Sequence, residues 1–589
     1  MKKTRQILCL LLALAMVFAL CACAKTEEKP AADDKSSSTG TDSGKTETAD
    51  NTKTEEDKSS SSGTSADITA QGNNDKDKEG VTTESGITVI QDTVILNMEE
   101  YENRPHEIQP GTNIKFVMFN DVPAQLPWND SSEAFLYNLI YEGLLYAYLG
   151  KPDDIRGCIA ETWEHSDDYL DWTFNIREGV KFTDGTVCDA NAIAKCWDYF
   201  KELTPTNLSN VNIESYEAES DLVFKVHLSS PCAYFENAMC GNGLCAISPT
   251  ACEKYGTDNN QAAVGTAPYY IESYTSGVEL ILKANPDYYL YEKMPCLETI
   301  TYVNIKDTNT MVMALLNGDV DGAVLSDLES YYSLRDNNYA GDLIVKMSNV
   351  GPFMMNAKKY EPFQKFEVRK AFARYVNYNE VNDLVWDGMA IVNDSMWAKG
   401  TSGYWPSDDY YPDAAEGDEL LASIGMSPSD ISFSCTTMEG DNVMEAIQDQ
   451  LNKHGISMEI EVIESAANFT YLMNGDWTVT YGSVGYTNSS PYTPWTFILP
   501  PNGIIKQCWQ DVYDPELYDQ MMDEFNLMKS SKTWDEMLDH CHALTGYVQD
   551  DHGCLLGMQR PGFLALSKEY KGGVFYALTS YPILYYFYV

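Results

Sequence analysis

The sequence predicts an α/β protein. From about residue 113 onward, short segments of period-two hydrophobicity alternate with longer segments at helical spacing. Hydrophobic residues make up 44% of the 589 positions, enough for a large core. No internal repeat is evident along the alternation. At about 150 residues per domain, the length fits two or three large domains or about four ordinary ones.

The first strand is expected over 113–119, and a helix over 131–145 follows from its apolar spacing. Leu170-Asp171-Trp172-Thr173-Phe174-Asn175-Ile176-Arg177 alternates strictly and predicts a half-buried strand. Gly179 and Asp184-Gly185 mark turns on either side of 180–182. A helix over 188–199 has Asp189 in position to cap it. Strands are expected at 278–282 and 298–303, then a helix over 308–316 that Gly318 stops. A long helix covers 368–385 and another 443–454, with a strand at 457–463 beyond Gly455. Helices over 517–528 and 534–549 complete the pattern.

Charge removes one class of partner. Lys and Arg number 40 against 88 Asp and Glu, a net charge of −48. Such a chain repels a phosphate backbone, and no basic stripe breaks the acidity, so nucleic acid is excluded as a partner. No apolar run in the body reaches the ~18–20 residues of a spanning helix.

The first residues read as an address. Lys2, Lys3 and Arg5 precede an apolar run over 7–20, the layout of a secretory signal. That run stops at Leu20-Cys21-Ala22-Cys23, which resembles the lipobox of bacterial lipoproteins. The resemblance implies a signal over 1–22, a mature chain starting at a lipidated Cys23, and a place on the extracellular face of the cell membrane. A plain secretory signal is the alternative. Residues 24–86 contain no Phe, Trp, Tyr or Cys, and only Ile68 and Val81 are branched aliphatics. So little apolar surface does not offset the entropy of ordering, and with Cys23 the stretch 23–86 reads as a solvated tether. Its root-mean-square span is about 45 Å by random-coil scaling. Twelve cysteines follow it, densest at Cys232, Cys240, Cys245 and Cys252. An exported chain could pair some of these, or pack them all as small hydrophobes.

The body then shows a run of motifs. Tyr141-Glu142-Gly143-Leu144-Leu145 comes first, then Ile159-Ala160-Glu161-Thr162-Trp163-Glu164. The stretch Trp172-Thr173-Phe174-Asn175-Ile176-Arg177-Glu178-Gly179-Val180-Lys181-Phe182-Thr183-Asp184-Gly185-Thr186 is the most specific. Val264-Gly265-Thr266-Ala267-Pro268-Tyr269, Asn285-Pro286-Asp287-Tyr288-Tyr289 and Asn317-Gly318-Asp319-Val320-Asp321 continue the series, with Val368-Arg369-Lys370-Ala371-Phe372 and Asn474-Gly475-Asp476 later. In order and content these resemble the family 5 extracellular solute-binding proteins, the peptide- and nickel-type receptors of ABC importers, over roughly 113–589.

The resemblance implies a two-lobed, periplasmic-binding-protein-like α/β fold that closes about a hinge. Lobe I would hold 113–349 and 566–589, with an inserted subdomain near 143–230, and lobe II would hold 350–565. The crossings would fall near 349–352 and 561–565, where Gly351, Pro352, Pro561 and Gly562 suit a hinge. The motif residues themselves read as scaffold: Trp163, Trp172, Phe174 and Phe182 as core, Asp319 and Asp321 as solvated.

Ligand residues are expected between the lobes. The segment Gly482-Ser483-Val484-Gly485-Tyr486-Thr487-Asn488-Ser489-Ser490-Pro491-Tyr492 resembles the loop that borders the ligand in this family. Peptide-binding members place an aspartate there against the α-amino group, and this chain has none. Asn488 offers neutral donors and acceptors, and Tyr486, Tyr492 and Trp495 offer aromatic faces. Trp128, Asn129, Phe353 and Met354 are further candidates at strand ends, with core packing the alternative for Met354 and for the aromatic residues Tyr492 and Trp495. The implied partners are a small solute or peptide and ABC permease subunits, for a monomeric, lipid-anchored receptor with no cofactor. A peptide leads by family habit; an oligosaccharide or a metal chelate stays open.

Enzyme chemistry finds little footing. The chain has no Gly-x-Ser-x-Gly elbow, Walker loop, His-Glu-x-x-His or dinucleotide fingerprint. Paired carboxylates are too common in so acidic a chain to argue for a glycosidase. His540-Cys541-His542 and His552-Gly553-Cys554 gather metal-ligand types, yet His540 and His542 lie two apart on an expected helix and so face apart. A surface adhesion module is suggested only by tether and charge.

Overall fold

The computed structural model describes residues 81–82, 88–90, 94–96 and 98–589, apart from 119–120, 130–133, 151–153, 326, 400, 439–441, 464, 482–490, 500–502, 505–509, 573 and 577–583. The leader, Cys23, Tyr486 and Asn488 lie outside the described residues. No helix among the described residues is long and apolar enough to cross a membrane.

A mixed sheet organises the body. The strands along its main path are β1 (Gln109–Met118), β2 (Tyr269–Thr275), β3 (Glu279–Ala284), β4 (Leu297–Asn304), β5 (Gly322–Leu325), β6 (Asp342–Met355), β7 (Ser432–Met438), β8 (Ser457–Ile463), β9 (Val479–Tyr481) and β10 (Cys554–Leu566). They lie in the order β2-β3-β4-β1-β5-β10-β6-β9-β7-β8. Pairing is parallel on either side, between β4, β1 and β5 and between β9, β7 and β8. The middle is antiparallel, through β5–β10, β10–β6 and β6–β9.

Two long strands thus run from one parallel region to the other. β10 pairs with β5 from Phe563 to Leu566, while Phe353, Met354 and Met355 at the far end of β6 pair with β9. The β6–β10 ladder loses register between Met347 and Val350 and again between Gly351 and Phe353. A Cβ on Gly557 would lie 1.9 Å from the Gly351 carbonyl oxygen, so the strands approach this closely only because glycine is there.

A separate four-stranded antiparallel sheet orders Ala160–His165, Asp171–Ile176, Val223–Leu228 and Ile213–Ser220. The expected period-two strand is there: Trp172, Phe174 and Ile176 are buried and Asp171 and Asn175 exposed. The helix Ala190–Leu203 lies against it, capped by Asp189, whose carboxylate accepts from the Ala192 N–H at 2.9 Å. Phe182 is buried in the same core, and Trp163 is half-buried with its indole N–H donating to Glu236 at 2.6 Å.

Four expectations need correction. The helix read over 131–145 is α1, Ala134–Ile140, after which the chain turns and Leu145–Ala147 pairs as a strand with Ile155–Gly157. The helix read over 368–385 is two helices, α2 (Phe366–Tyr375) and α3 (Tyr378–Trp386). Val376 takes extended dihedrals, and the Asn377 side chain accepts from the N–H groups of Asn379 and Glu380 to start α3. Asp321 is not solvated: it is half-buried, accepting from the Lys115 N–H at 2.7 Å and the Tyr570 hydroxyl at 3.3 Å. Of the two readings open for the cysteines the structure has the second: those described, including the whole 232–252 cluster, are unpaired, and all but Cys240 are buried. Burial pushes the thiols of Cys158, Cys196 and Cys232 up to about 12. Pairing also begins earlier than the tether reading allows, since Val81 and Thr82 pair with Val89 and Thr88.

Candidate functional site

Three of the sequence motifs meet at one buried carboxylate. Glu142 follows α1, and its side chain is 1% exposed. Its Oε1 accepts from Lys293 Nζ and from the Tyr288 hydroxyl, each at 2.6 Å. Its Oε2 accepts from the Tyr289 hydroxyl at 2.8 Å and the Thr266 hydroxyl at 3.2 Å. Gly143 and Gly265 make this possible: a Cβ would sit 2.0 Å from the Met239 oxygen at the first and 1.8 Å from the Ile140 oxygen at the second. Burial works to raise the Glu142 pKa, but Lys293 and the hydroxyl donors outweigh it and hold the carboxyl below its usual range. Burial works to lower Lys293, and the attraction of Glu142 outweighs that, so the ammonium titrates above its usual range. Both groups are charged at neutral pH. Four donors occupy the four acceptor directions of the carboxylate, so the cluster is scaffold, with nothing left to offer a ligand.

The candidate ligand residues fall into two environments. Trp128 and Asn129 lie on the loop after β1. The Trp128 indole N–H donates to the Thr257 carbonyl at 2.8 Å, and its ring meets Phe200 edge-on at 5.7 Å. Asn129 is exposed and lines a shallow depression of about 460 Å³ with Pro123, Ala124, Asp258, Asn259 and Asn260. Asn260 fixes this loop, accepting from the Gln125 N–H at 3.1 Å and donating to the Pro123 carbonyl at 2.6 Å. Phe353 and Met354 sit on β6, at most 3% exposed, with Phe353 stacked against Phe372 of α2. Tyr492 and Trp495 belong to the helix α4 (Tyr492–Ile498). Both are buried, Trp495 edge-on to Trp397 at 5.3 Å and Tyr492 stacked between two other rings. Only Trp128 and Asn129 of the described candidates keep solvent-facing surface.

Comparison with known proteins supplies the class. The model of bacterial extracellular solute-binding proteins, family 5 Middle, matches residues 154–504. The chain belongs to this family. It is a substrate-binding protein of ABC transporters. The probable D,D-dipeptide-binding periplasmic protein DdpA of Escherichia coli strain K12 is 22% identical over 436 residues, covering 72% of this chain and 82% of DdpA. The glutathione-binding protein GsiB of Salmonella paratyphi A is 28% identical over 353 residues, 57% of this chain. That match spans 66% of GsiB, just under two thirds of its length. Among solved structures, NikA from Brucella suis in complex with Fe(III)-EDTA superposes with a TM-score of 0.71 at 19% identity. It covers 81% of this chain and 99% of NikA, and establishes the two-lobed binding-protein fold.

In this family 5 protein the metal-ligand types are spent on other contacts. His540 pairs with Glu524 at 2.6 Å, and His542 stacks on Trp405 while bonding the Ser402 carbonyl at 3.0 Å. His552 is fully buried against Tyr410, and burial lowers its pKa. Among the described residues, no three His, Cys, Asp or Glu side chains gather as a metal site.

Among the polar clusters that sequence reasoning missed, two stand on its own motifs. One is Glu142 with Lys293, although Glu142, Thr266, Tyr288 and Tyr289 stand in three motifs already singled out. The other joins Arg369 of the Val-Arg-Lys-Ala-Phe motif to buried Asp551 at 2.7 Å, with the Tyr513 hydroxyl at 2.5 Å and the Gln510 amide at 3.2 Å on the second oxygen. Their signal was a charged residue set among apolar ones in a motif.

Proposed function

We propose that the protein is a lipid-anchored receptor outside the cell, which encloses a short peptide between two lobes and hands it to an ABC permease. The observation that carries the reading is the family match over 154–504, which takes in residues 482–490. The lobes are 113–349 with 566–589, and 350–565, with 143–230 inserted in the first. Two features support hinges near 349–352 and 561–565: the register breaks in β6–β10 and the close approach of Gly557 to Gly351. Closure then follows from contacts a ligand makes with both lobes at once, since it shifts the equilibrium only by its differential affinity. Lipid on Cys23 and the following tether keep the body near the membrane.

Peptide leads because the relatives DdpA and GsiB are named for a dipeptide and for glutathione. Thr487, Asn488, Ser489 and Ser490 stand where peptide-binding members place a carboxylate. A buried ammonium requires a paired anion, so this chain takes its peptide without an ion pair to the α-amine from that loop. Tyr486 stacks on the ligand and Asn488 bonds it. Titration calorimetry with one dipeptide, free and N-acetylated, tests this. Equal affinities support the reading, whereas loss of binding on acetylation overturns it. Tyr486→Ala is expected to weaken binding while the unfolding midpoint stays put.

A further inference from the structure

We infer that Tyr492 is a clasp across the two lobes rather than a ligand contact. The inference rests on the lobe division proposed above. Tyr492, at 2% exposure, is sandwiched between Tyr234 at 5.3 Å between ring centroids and Phe525 at 4.9 Å, with interplanar angles of 27° and 25°. Phe525 lies on the helix α5 (Pro515–Ser530), in the same lobe as Tyr492. Tyr234 belongs to the other lobe. It is 3% exposed and precedes Phe235, whose ring packs on Trp172 of the four-stranded sheet at 4.8 Å. The outer two rings of the three-ring stack therefore come from different lobes, and the middle ring fills the gap between them.

A polar bond crosses at the same place. The Asn212 amide donates to the Pro231 carbonyl at 3.0 Å, on its own side, and to the Lys529 carbonyl at 3.1 Å, near the end of α5. Asn212 is buried and holds a left-handed backbone, φ +57°, a conformation that Asn tolerates better than most residues. The carbonyls near a helix end have no partner within the helix, so the amide satisfies a group that opening the lobes would expose. Stacking and amide together form a contact made only when the lobes are together. Neither needs a bound solute, so the clasp sets how much closed form exists before a ligand arrives, and through that the apparent affinity.

Amide hydrogen exchange on the full-length chain, with no ligand added, tests this. Tyr234→Ala removes a ring from one lobe only. It is expected to speed exchange about tenfold on both sides, in peptides covering 210–235 and in peptides covering 524–532. Tyr492→Ala should reproduce the pattern, with β7 and β8 unchanged. Acceleration confined to 210–235 in Tyr234→Ala would overturn the clasp and leave ordinary local packing. So would wild-type protein whose two segments already exchange freely. Should either alanine variant fail to fold, Tyr234→Leu and Tyr492→Leu keep most of the volume, lose the stack and carry the same two expectations. Because no solute takes part, a failure here leaves the capture reading standing, and a failure of capture leaves this result standing.

Discussion

Lys293→Met removes the cation from a carboxylate that has no access to solvent. Wild-type Glu142 receives one ammonium and three hydroxyl donors. In the variant the three hydroxyls remain, and they soften the loss without balancing the charge. Breaking a buried pair by removing one partner costs about 3–5 kcal/mol, and the surviving hydroxyl bonds put this case near 3. Urea unfolding at pH 7, followed by intrinsic fluorescence, measures the loss. Adding Glu142→Gln to Lys293→Met takes away the unpaired charge and should return at least about half of it, a coupling read from the double-mutant cycle. The pH dependence carries the same signature. Glu142 titrates below its usual range when folded, so its stabilisation is complete above the unfolded value of about 4.3 and fades as pH falls through the folded value. Lys293 titrates above its usual range, so its stabilisation is complete below about 10.4 and fades as pH rises through the folded value. Lys293→Met should therefore shift acid unfolding to higher pH. A variant within about 1 kcal/mol of wild type, with an unmoved acid limb, would refute the reasoning, since that is the range of a surface pair.

Other outcomes follow from single features. Gly265→Ala puts a Cβ 1.8 Å from the Ile140 oxygen and should cost about 3 kcal/mol or abolish folding, read by circular dichroism and urea titration. Asn377→Ala removes the cap of α3 and should cost about 1 kcal/mol, because two N–H groups lose their acceptor. Trp495→Ala empties a fully buried site and should lower stability by about 3–5 kcal/mol in the same assay. Iodoacetamide at pH 8 should leave Cys158, Cys196 and Cys232 unmodified in native protein and label them in urea, as mass spectrometry of the peptides would report.

Local rules carried most of the fold. Strict alternation located Asp171–Ile176, and cap chemistry located both Ala190–Leu203 with its Asp189 and Thr308–Asn317 with Gly318 at φ +73°. What local rules missed was decided at a distance. Helical spacing runs on through 131–145, but α1 ends where Glu142 must turn inward to reach Lys293, 151 positions along the chain. The same spacing runs through 368–385, and the break at Val376 shows only once Asn377 is recognised as a cap rather than a helical residue. The candidate site was less legible. An exposed aromatic and a core aromatic look alike in sequence, so cleft and packing roles both stood open for Tyr492 and Trp495, and both side chains are buried. Asp321 passed as solvated for the opposite reason, since its partners Lys115 and Tyr570 lie far along the chain on either side.

Capture of a small solute is tested most directly by native mass spectrometry of the gently purified chain, followed by thermal unfolding with each co-purifying compound added back. The account predicts a one-to-one adduct of peptide mass that is released unchanged on denaturation. It also predicts a stability gain that grows with concentration, about 2.7 kcal/mol at a hundred times the dissociation constant. A chain that carries no adduct and whose unfolding ignores dipeptides, glutathione and metal chelates alike would contradict it.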